Sequence, residues 1–374
     1  MARYYLIAGE SSGDMHGANL MKAIRHYDPA AECRFWGGDR MLAAGGEMVK
    51  HIRELAFMGF WEVITNIRTI WKNIQLCRRD IRQYKPDVLV LIDYPGFNLR
   101  MARFAKSLGI PVVYYISPQV WAWKASRVHT IRRQVDRMLV ILPFEQEFYG
   151  RYGMAVDFVG HPLMDELAPS RIPEKYAGFR EANKLPGKDL VALLPGSRRQ
   201  EIQRMLRQMI VQADFFPDHH FVVAGVSGQD RSLYTAFTGR QNVSVVYDQT
   251  YALLHHARAA LVASGTATLE TALFDVPQVV CYKANKLSYH IARRLVKIKY
   301  ISLVNLIMDR PVLTELIQKD FNSKTLRHHL HMLLYDEACR DAMKQDYAAL
   351  AERLGGEGAS LKAARLVVDT LHKP

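Results

Sequence analysis

The chain has 374 residues, a net charge of +13 and only four cysteines, and 49% of its residues are apolar. The length fits two domains of ordinary size, and the apolar content argues against disorder. The four cysteines are scattered, which argues against a disulfide-stapled protein, and the first apolar run is too short for a secretion signal. No stretch reaches the roughly 18 apolar residues of a membrane-spanning helix, which argues against an integral membrane protein. Nucleic acid, an anionic membrane surface and an anionic substrate all stay open as partners for the excess positive charge.

Short apolar runs that predict β-strands alternate with longer helical patterns in the first part of the chain. The predicted strands are Tyr4–Ala8, Val88–Ile92, Val112–Ile116 and Met138–Leu142, with a helical stretch from Met15 onward. Continuous apolar runs are typical of parallel strands that are covered on both faces. Residues 1–165 therefore predict a βαβ domain.

A second series of strands follows a pause in the pattern. Residues 165–188 hold several prolines and charges and are interpreted as a linker. The later predicted strands are Leu190–Leu194, Phe221–Ala224, Val243–Tyr247, Ala260–Ala263 and Val279–Tyr282. We predict an α/β fold with two doubly wound domains, 1–165 and 166–345, and a helical tail, 346–374, that ends in an amphipathic helix. In such folds ligands bind beyond the carboxyl ends of the strands, here in a cleft between the domains.

Two loops that follow strands of the first domain carry polar side chains. Residues 9–14, GESSGD, contain Glu10 and Ser12 before a helix, where glycines and the helix start favour an anionic or polar ligand. A simple turn capped by Ser12 or Asp14 is equally compatible. Asp93, in the loop at 92–98, is a candidate general base, with an ordinary turn aspartate as the alternative.

Two loops of the second domain predict a site for a nucleotide diphosphate. The candidate residues are Gly196, Ser197 and Arg198 in the first loop and Ser264, Gly265, Thr266 and Glu270 in the second. An arginine at a helix start opposes the helix dipole, which suggests that it meets a phosphate, unless it is merely solvated. The second loop offers N–H donors for phosphate and a carboxylate for ribose, unless it only caps a helix.

Aromatic and apolar segments of the first domain suggest contacts with a sugar or a lipid. Trp121 and Trp123 flank a Ser-Pro turn, where they can stack on a sugar or line an acyl pocket, or can pack locally. The segment at 57–76 is apolar around much of a helix. We interpret it as either a buried helix or an exposed patch for lipid, with these candidate contacts: Phe57, Phe60, Trp61 and Ile64.

Basic stretches without acidic residues suggest a membrane surface as a partner. Residues 94–135 and 276–308 contain no Asp or Glu. In the second stretch Arg293, Arg294 and Lys297 lie among aromatic and aliphatic residues, a mixture typical of segments that meet an anionic bilayer. A solvated surface is the alternative interpretation.

Taken together, these motifs resemble the lipid-A-disaccharide synthase family, inverting glycosyltransferases of bacterial lipid A biosynthesis. The resemblance covers nearly the whole chain and rests on AGESSGD at 8–14, IDYPGFN at 92–98, YYISPQVWAWK at 114–124, LLPGSRRQEI at 193–202, ASGTATLETAL at 263–273 and YISLVNLI at 300–307. It implies the GT-B fold, with two Rossmann-like domains. It also implies a UDP-2,3-diacylglucosamine donor, a 2,3-diacylglucosamine 1-phosphate (lipid X) acceptor, and neither a metal nor a cofactor.

The resemblance also implies roles for individual residues. Glu10 would contact the acceptor or the reacting centre, Asp87 matches an aspartate of the family's KPD segment, and Asn305 matches an asparagine of its SLxNL segment. Arg198 would meet the donor phosphates, with Ser264, Gly265 and Thr266 holding the diphosphate and Glu270 the ribose. Well-known members carry a second aspartate, as IDAPDFN, where this chain has Gly96. We therefore take Asp93 as the candidate base, with Glu10 next.

The family resemblance finally implies partners and a location. Members form dimers that exchange C-terminal segments, and their substrates are lipids, so we expect attachment to the cytoplasmic face of a Gram-negative inner membrane and no nucleic-acid partner. The competing interpretations are another GT-B enzyme that uses UDP-GlcNAc, such as a 2-epimerase or the lipid I glycosyltransferase, and a non-catalytic nucleic-acid binder.

Overall fold

A computed structural model describes residues 1–55, 67–123, 125–170, 172–235, 239–285, 289 and 298–371. The chain divides into two compact units. The first comprises Met1–Asp165 and the segment from Leu354 onward, and the second comprises Glu166–Arg353. The predicted tail begins at residue 346, whereas the chain returns to the first unit at Leu354, because residues 337–353 form one continuous helix.

A parallel seven-stranded sheet forms the centre of the first unit. Its strands are β1 (Arg3–Ala8), β2 (Glu32–Gly37), β3 (Glu47–His51), β4 (Val88–Ile92), β5 (Val112–Tyr115), β6 (Arg137–Val140) and β7 (Asp157–Phe158), in the order β3-β2-β1-β4-β5-β6-β7. Its helices up to the boundary are α1 (Ser11–Tyr27), α2 (Asp39–Ala43), α3 (Ile67–Tyr84), α4 (Pro95–Ser107), α5 (Val120–Trp123), α6 (Val128–Gln134), α7 (Phe144–Gly150) and α8 (Leu163–Leu167). The central strand β4 is completely buried, as expected for a parallel strand between two helical layers.

A parallel six-stranded sheet forms the centre of the second unit. Its strands are β8 (Leu190–Leu194), β9 (His220–Gly225), β10 (Val243–Tyr247), β11 (Ala257–Ala263), β12 (Gln278–Tyr282) and β13 (Thr314–Ile317), in the order β10-β9-β8-β11-β12-β13. Its helices are α9 (Phe179–Ala182), α10 (Arg199–Ile210), α11 (Ser232–Thr235), α12 (Thr250–His256), α13 (Ala267–Leu273), α14 (Leu303–Met308), α15 (Ser323–Tyr335) and α16 (Glu337–Arg353). The unit therefore has the doubly wound architecture that the apolar runs predict.

Every predicted strand is present, and the strands that the sequence does not predict lie mainly toward the edges of the sheets. β3 and β13 are edge strands, and their sequences, EMVKH and TELI, mix charged and apolar residues. An edge strand has one neighbour and is partly exposed, so it needs no continuous apolar run. Among the described residues, no helix is long and apolar enough to cross a bilayer.

The last helix, α17 (Ala359–Leu371), packs against α1 within the first unit. Ala363, Ala364 and Val367 are fully buried in the same apolar cluster as residues of β1 and α1. The Asp165 carboxylate fixes the start of this segment, since it accepts hydrogen bonds from the backbone N–H groups of Gly358 at 2.5 Å and Ser360 at 2.9 Å. A side chain thus caps the helix and ties both ends of the first unit's chain together.

Candidate active-site residues in the two units

In the first unit, Glu10 and Asp93 follow the carboxyl ends of two adjacent strands. β1 pairs with β4 in a register that sets Ala8 opposite Ile92, so Glu10 and Asp93 come soon after paired residues. Glu10 is exposed. Burial, and secondarily the negative charge of Glu10, raises the pKa of Asp93 to about 6. A carboxylate with this pKa is a stronger base than an ordinary aspartate and is still ionised at neutral pH.

The backbone at Asp93 and Tyr94 is left-handed, with φ angles of 46° and 48°. Such angles are uncommon for residues with a side chain and cost of order 1 kcal/mol or more each. The carbonyl oxygen of Asp93 accepts hydrogen bonds from Tyr114 Oη at 2.6 Å and from Asn98 Nδ2 at 2.7 Å. These two buried donors hold the turn that presents the Asp93 side chain.

Gly9 is required by the same turn. A Cβ atom at this position would lie 2.3 Å from the ring of Tyr94, so no other residue fits without moving that ring. The Tyr94 ring in turn stacks on Phe97, with 5.8 Å between the ring centroids. Close packing against Tyr94 therefore explains the first glycine of the loop. By contrast, a Cβ at Gly96 would meet open space, so sterics do not require a glycine at this position.

Asp87 lies at the opposite end of β4 from Asp93. Its carboxylate accepts a hydrogen bond from the backbone N–H of Arg3 at 2.7 Å, at the amino end of the sheet. The intervening strand has five residues, a length of roughly 16 Å. The structure therefore does not bring Asp87 together with Glu10 and Asp93. Its contact is a structural one between β1 and the start of β4, and a catalytic role for Asp87, which the family resemblance suggests, stays a prediction.

Ser12 and Asp14, the other polar residues considered in the loop at 9–14, differ in exposure and role. Ser12 is exposed in the first turn of α1. The buried Asp14 accepts hydrogen bonds from the backbone N–H groups of Gly38, Arg40 and Met41, at 2.7, 3.1 and 3.0 Å. The carboxylate thus caps α2, rather than α1 as the sequence alternative held, and it fixes the loop after β2 to α1.

Trp121 packs locally, as one interpretation of its loop predicts. Its ring meets Phe144 edge to face with 5.0 Å between centroids. The adjacent Glu145 is buried, accepts the N–H of Leu142 at 3.0 Å, and has a pKa raised to about 7 by burial. The sequence does not single out Glu145, which lies at the start of α7. Trp123 ends α5, and its side chain lies outside the described residues.

The predicted lipid contacts also fall outside the described residues. These are Phe57, Phe60, Trp61, Ile64, Arg293, Arg294 and Lys297. Their assignment to a membrane surface stays a prediction.

In the second unit, Arg198 is the N-cap residue of α10 and is accessible. Its side chain is 69% exposed and its Nη1 lies 3.1 Å from Glu201 Oε1. Glu201, in the first turn, offsets the unfavourable interaction of an arginine with the helix dipole, so this arrangement needs no bound anion. An exposed ion pair of this kind contributes little, however, so the guanidinium is free to exchange Glu201 for a phosphate.

Gly196 and Ser197 shape the turn before Arg198. Gly196 has a φ of 100°, and a Cβ there would lie 2.4 Å from Glu201 Oε2. The carbonyl of Ser197 accepts a hydrogen bond from Gln229 Nε2 at 3.0 Å. The glycine is thus required by both backbone conformation and the approach of the Glu201 carboxylate.

The side chain of Ser264 positions the second loop of the predicted diphosphate site, residues 264–266. Ser264 Oγ donates to the carbonyl of Ile301 at 2.9 Å, while Gly265 and Thr266 are exposed at the start of α13. The hydroxyl of Ser264 is therefore engaged in positioning the loop. In this loop, the two residues that follow Ser264 are the ones most exposed to solvent.

Asn305 is a buried structural residue. Its Nδ2 donates to the Leu313 carbonyl at 2.9 Å and to Glu315 Oε1 at 3.0 Å, and its Oδ1 accepts the Leu313 N–H at 2.8 Å. The same Glu315 carboxylate accepts the N–H groups of Ile301 and Ser302, so the pair braces the segment that holds Ser264. These bonds give Asn305 a positioning role, any contact of Asn305 with substrate stays a prediction, and Glu315 is the partner that sequence reasoning missed.

Glu270 is the most strongly perturbed acid of the second unit's candidate site. Burial raises its pKa to about 7, the charge of Glu166 adds to the increase, and Tyr251 Oη donates to Glu270 Oε1 at 3.2 Å. A carboxylate in this setting gains from further hydroxyl donors, such as the two hydroxyls of a ribose. Across the described ranges, no group of three or more metal-ligating side chains comes together.

Known proteins resemble this chain over its whole length. A family model described as lipid-A-disaccharide synthetase matches residues 4–368. The lipid-A-disaccharide synthase of Geobacter sulfurreducens is 38% identical, with 99% of this chain and 98% of that protein covered. The enzyme of the same name from Nitrosococcus oceani is 39% identical, with 98% and 95% covered.

Solved structures confirm the predicted fold class. The glycotransferase of kitacinnamycin matches with a TM-score of 0.68 at 14% identity, covering 99% of both chains. The UDP-GlcNAc 2-epimerase from Neisseria meningitidis, solved with UDP-GlcNAc, matches with a TM-score of 0.66 at 12% identity, covering 100% of both. These likenesses establish two parallel-sheet α/β units of GT-B type.

Proposed function

The chain belongs to the lipid-A-disaccharide synthase family, and from that membership we propose that it transfers 2,3-diacylglucosamine from UDP-2,3-diacylglucosamine to lipid X, 2,3-diacylglucosamine 1-phosphate. The products are the β-1,6-linked disaccharide 1-phosphate and UDP. The observation that carries the proposal is the family match from residue 4 to residue 368. The perturbed carboxylate Asp93 and the accessible guanidinium Arg198 supply the groups that this reaction needs.

In the proposed reaction Asp93 is the general base. The 6-hydroxyl oxygen of the acceptor forms a bond to the anomeric carbon of the donor, and its proton passes to the Asp93 carboxylate. The bond from the anomeric carbon to the UDP oxygen breaks on the opposite face. One displacement inverts the configuration at the anomeric carbon. The negative charge of Glu10 helps to raise the pKa of Asp93. In this proposal Glu10 also binds hydroxyl groups of the acceptor.

Donor binding is assigned to the second unit. Arg198 and the exposed backbone at Gly265 and Thr266 would bind the diphosphate, and Glu270 the ribose. A guanidinium stabilises the negative charge that grows on the diphosphate as UDP leaves, and charge-assisted hydrogen bonds are stronger than neutral ones. We assign no metal to this step.

The acyl chains of both substrates place the reaction at a membrane surface in this proposal. The net charge of +13 supports attraction to an anionic leaflet. Attachment to the cytoplasmic face of the inner membrane, and a dimer that exchanges C-terminal segments, are part of the proposal.

A direct assay tests the proposed activity. We expect the protein, mixed with the two acylated glucosamine substrates, to form the disaccharide 1-phosphate and UDP, detected by mass spectrometry. A parallel incubation with UDP-GlcNAc alone tests the epimerase alternative. Formation of the 2-epimer without disaccharide in the first mixture would contradict the proposal.

Replacement of Asp93 by asparagine should abolish most turnover. Asparagine tolerates the left-handed backbone, so the fold should persist while the base is lost, and kcat should fall roughly 100-fold to 10,000-fold. The thermal midpoint serves as the check on folding. Asp39→Asn removes an exposed carboxylate of the same unit and should leave kcat unchanged. Near-normal turnover of Asp93→Asn would rule out Asp93 as the base.

The pH profile should report the interaction between Glu10 and Asp93. Because the base must be ionised, kcat/KM should fall as the pH drops through about 6, the pKa of Asp93. Glu10→Gln removes the negative charge that helps raise this pKa, so the acidic limb should move to lower pH, although only part of the way since burial is the larger cause. Glu10→Asp keeps the charge and should leave the limb in place. An unmoved limb in Glu10→Gln would show that the two groups are not coupled.

Loss of the Arg198 guanidinium should weaken donor binding. Arg198→Ala removes one or two charge-assisted hydrogen bonds to phosphate, so the Kd for UDP should rise about 10-fold to 100-fold by calorimetry. Arg207→Ala removes the same charge from an exposed position two turns further along α10 and is the matched control. Equal effects of the two changes would point to a general electrostatic role instead.

A further inference from the structure

A basic pocket of about 280 Å³ lies on the first unit between α3 and α4. Its lining residues are Gln75, Arg78, Arg82, Arg103, Phe104 and Ser107. None of them belongs to the donor or acceptor residues discussed above. The pocket therefore needs an explanation apart from glycosyl transfer.

The three arginines of the pocket have no acidic partner in the part of the chain that the structure describes. The only acid of α3 is Asp80, and Arg34 occupies it through a charge-assisted pair at 2.8 Å. α4 contains no acidic residue at all. Three guanidinium groups thus line one pocket with no carboxylate of the described residues paired to them, an arrangement in which they repel one another and that an anion would stabilise.

The guanidinium groups are held from one side by an aromatic ring. The guanidinium carbons of Arg78 and Arg82 lie 5.4 and 5.0 Å from the centroid of the Phe104 ring. Stacking of this kind orients the planar groups and leaves their N–H edges available. Arg78 Nε is buried and has no hydrogen-bond partner among the described residues, so the hydrogen-bonding capacity of this guanidinium is not fully used. The outer N–H groups of the stacked guanidiniums are donors suited to phosphate oxygens.

The surface beside the pocket is apolar as well as basic. Trp71 is 62% exposed, and it shares a face of α3 with two pocket residues, since Gln75 and Arg78 follow it by four and seven positions. An exposed tryptophan next to arginines is typical of a surface that lies at the boundary of a lipid bilayer. The exposed Trp71 ring would not contribute to the binding of a soluble anion.

We propose that Arg78, Arg82 and Arg103 bind a phosphate group that is part of a lipid headgroup. Trp71 lies beside these arginines and contacts the same bilayer surface. The site is separate from the carboxylates of the transfer reaction. It deepens the membrane attachment of the proposed function but does not depend on the transfer reaction, and it is testable without either sugar substrate. In this inference the pocket fixes the orientation of the first unit on the bilayer, because it binds one phosphate at a defined place on its surface.

Binding to vesicles provides the test. The full-length protein is sedimented with vesicles of phosphatidylcholine that contain phosphatidylglycerol, and binding of inorganic phosphate is measured separately by calorimetry. The pocket variant replaces Arg78, Arg82 and Arg103 with glutamine. The control variant replaces three exposed arginines of the same unit, Arg79, Arg133 and Arg365, with glutamine and has the same net charge. Thermal midpoints of both variants check the fold, and Arg103→Gln alone is the fallback if the triple pocket variant does not fold.

Each outcome decides the proposal. We expect the pocket variant to bind the phosphatidylglycerol vesicles about tenfold more weakly than the control variant, since the two have lost equal charge and differ only in the pocket. Loss of inorganic phosphate binding without this difference on vesicles would support the phosphate site but assign it to a soluble phosphate. Equal behaviour of the pocket and control variants in both measurements would overturn the proposal.

Discussion

The left-handed turn at Asp93 and Tyr94 is the constraint on which the first unit's candidate site depends. It ends a completely buried strand, and its conformation is unfavourable for residues that carry side chains. Tyr114 and Asn98 hold it by donating to one carbonyl oxygen, and Gly9 leaves room for the Tyr94 ring. The turn thus places the half-buried Asp93 carboxyl group near the carboxylate of Glu10, and burial together with that charge raises the pKa of Asp93.

The second unit is built on the same principle with different groups. Glu315 and Asn305 use their hydrogen bonds on the backbone around Ser264, and Glu201 fits against Gly196. Many polar residues near the candidate site are therefore already engaged in the scaffold. The groups left for a ligand are few and distinct: an exposed guanidinium at one helix start, exposed backbone at another, and a half-buried carboxylate with a raised pKa.

The sequence predicts the central strands and the main loops because burial on both faces demands continuous apolar runs. β4 and β8 match their predicted bounds for this reason. Edge strands such as β3 are not predicted, because part of their surface is open to solvent and needs no apolar run.

The roles of the site residues are harder to predict from the sequence. A motif does not tell whether a polar side chain faces a ligand, as proposed for Glu270, or the backbone, as Asn305 and Asp14 do. That distinction arises from tertiary contacts, such as those of Asp14 with Gly38 and Met41.

The path of the chain has a consequence for how the protein is made. The first unit includes α17, which is synthesised only after the whole of the second unit. On the ribosome, the apolar faces of β1 and α1 that pack with Ala363, Ala364 and Val367 stay uncovered while residues 166–353 emerge. The second unit consists of one contiguous segment, Glu166–Arg353, and is free to complete its fold first, which reverses the usual order in which N-terminal domains finish before later ones.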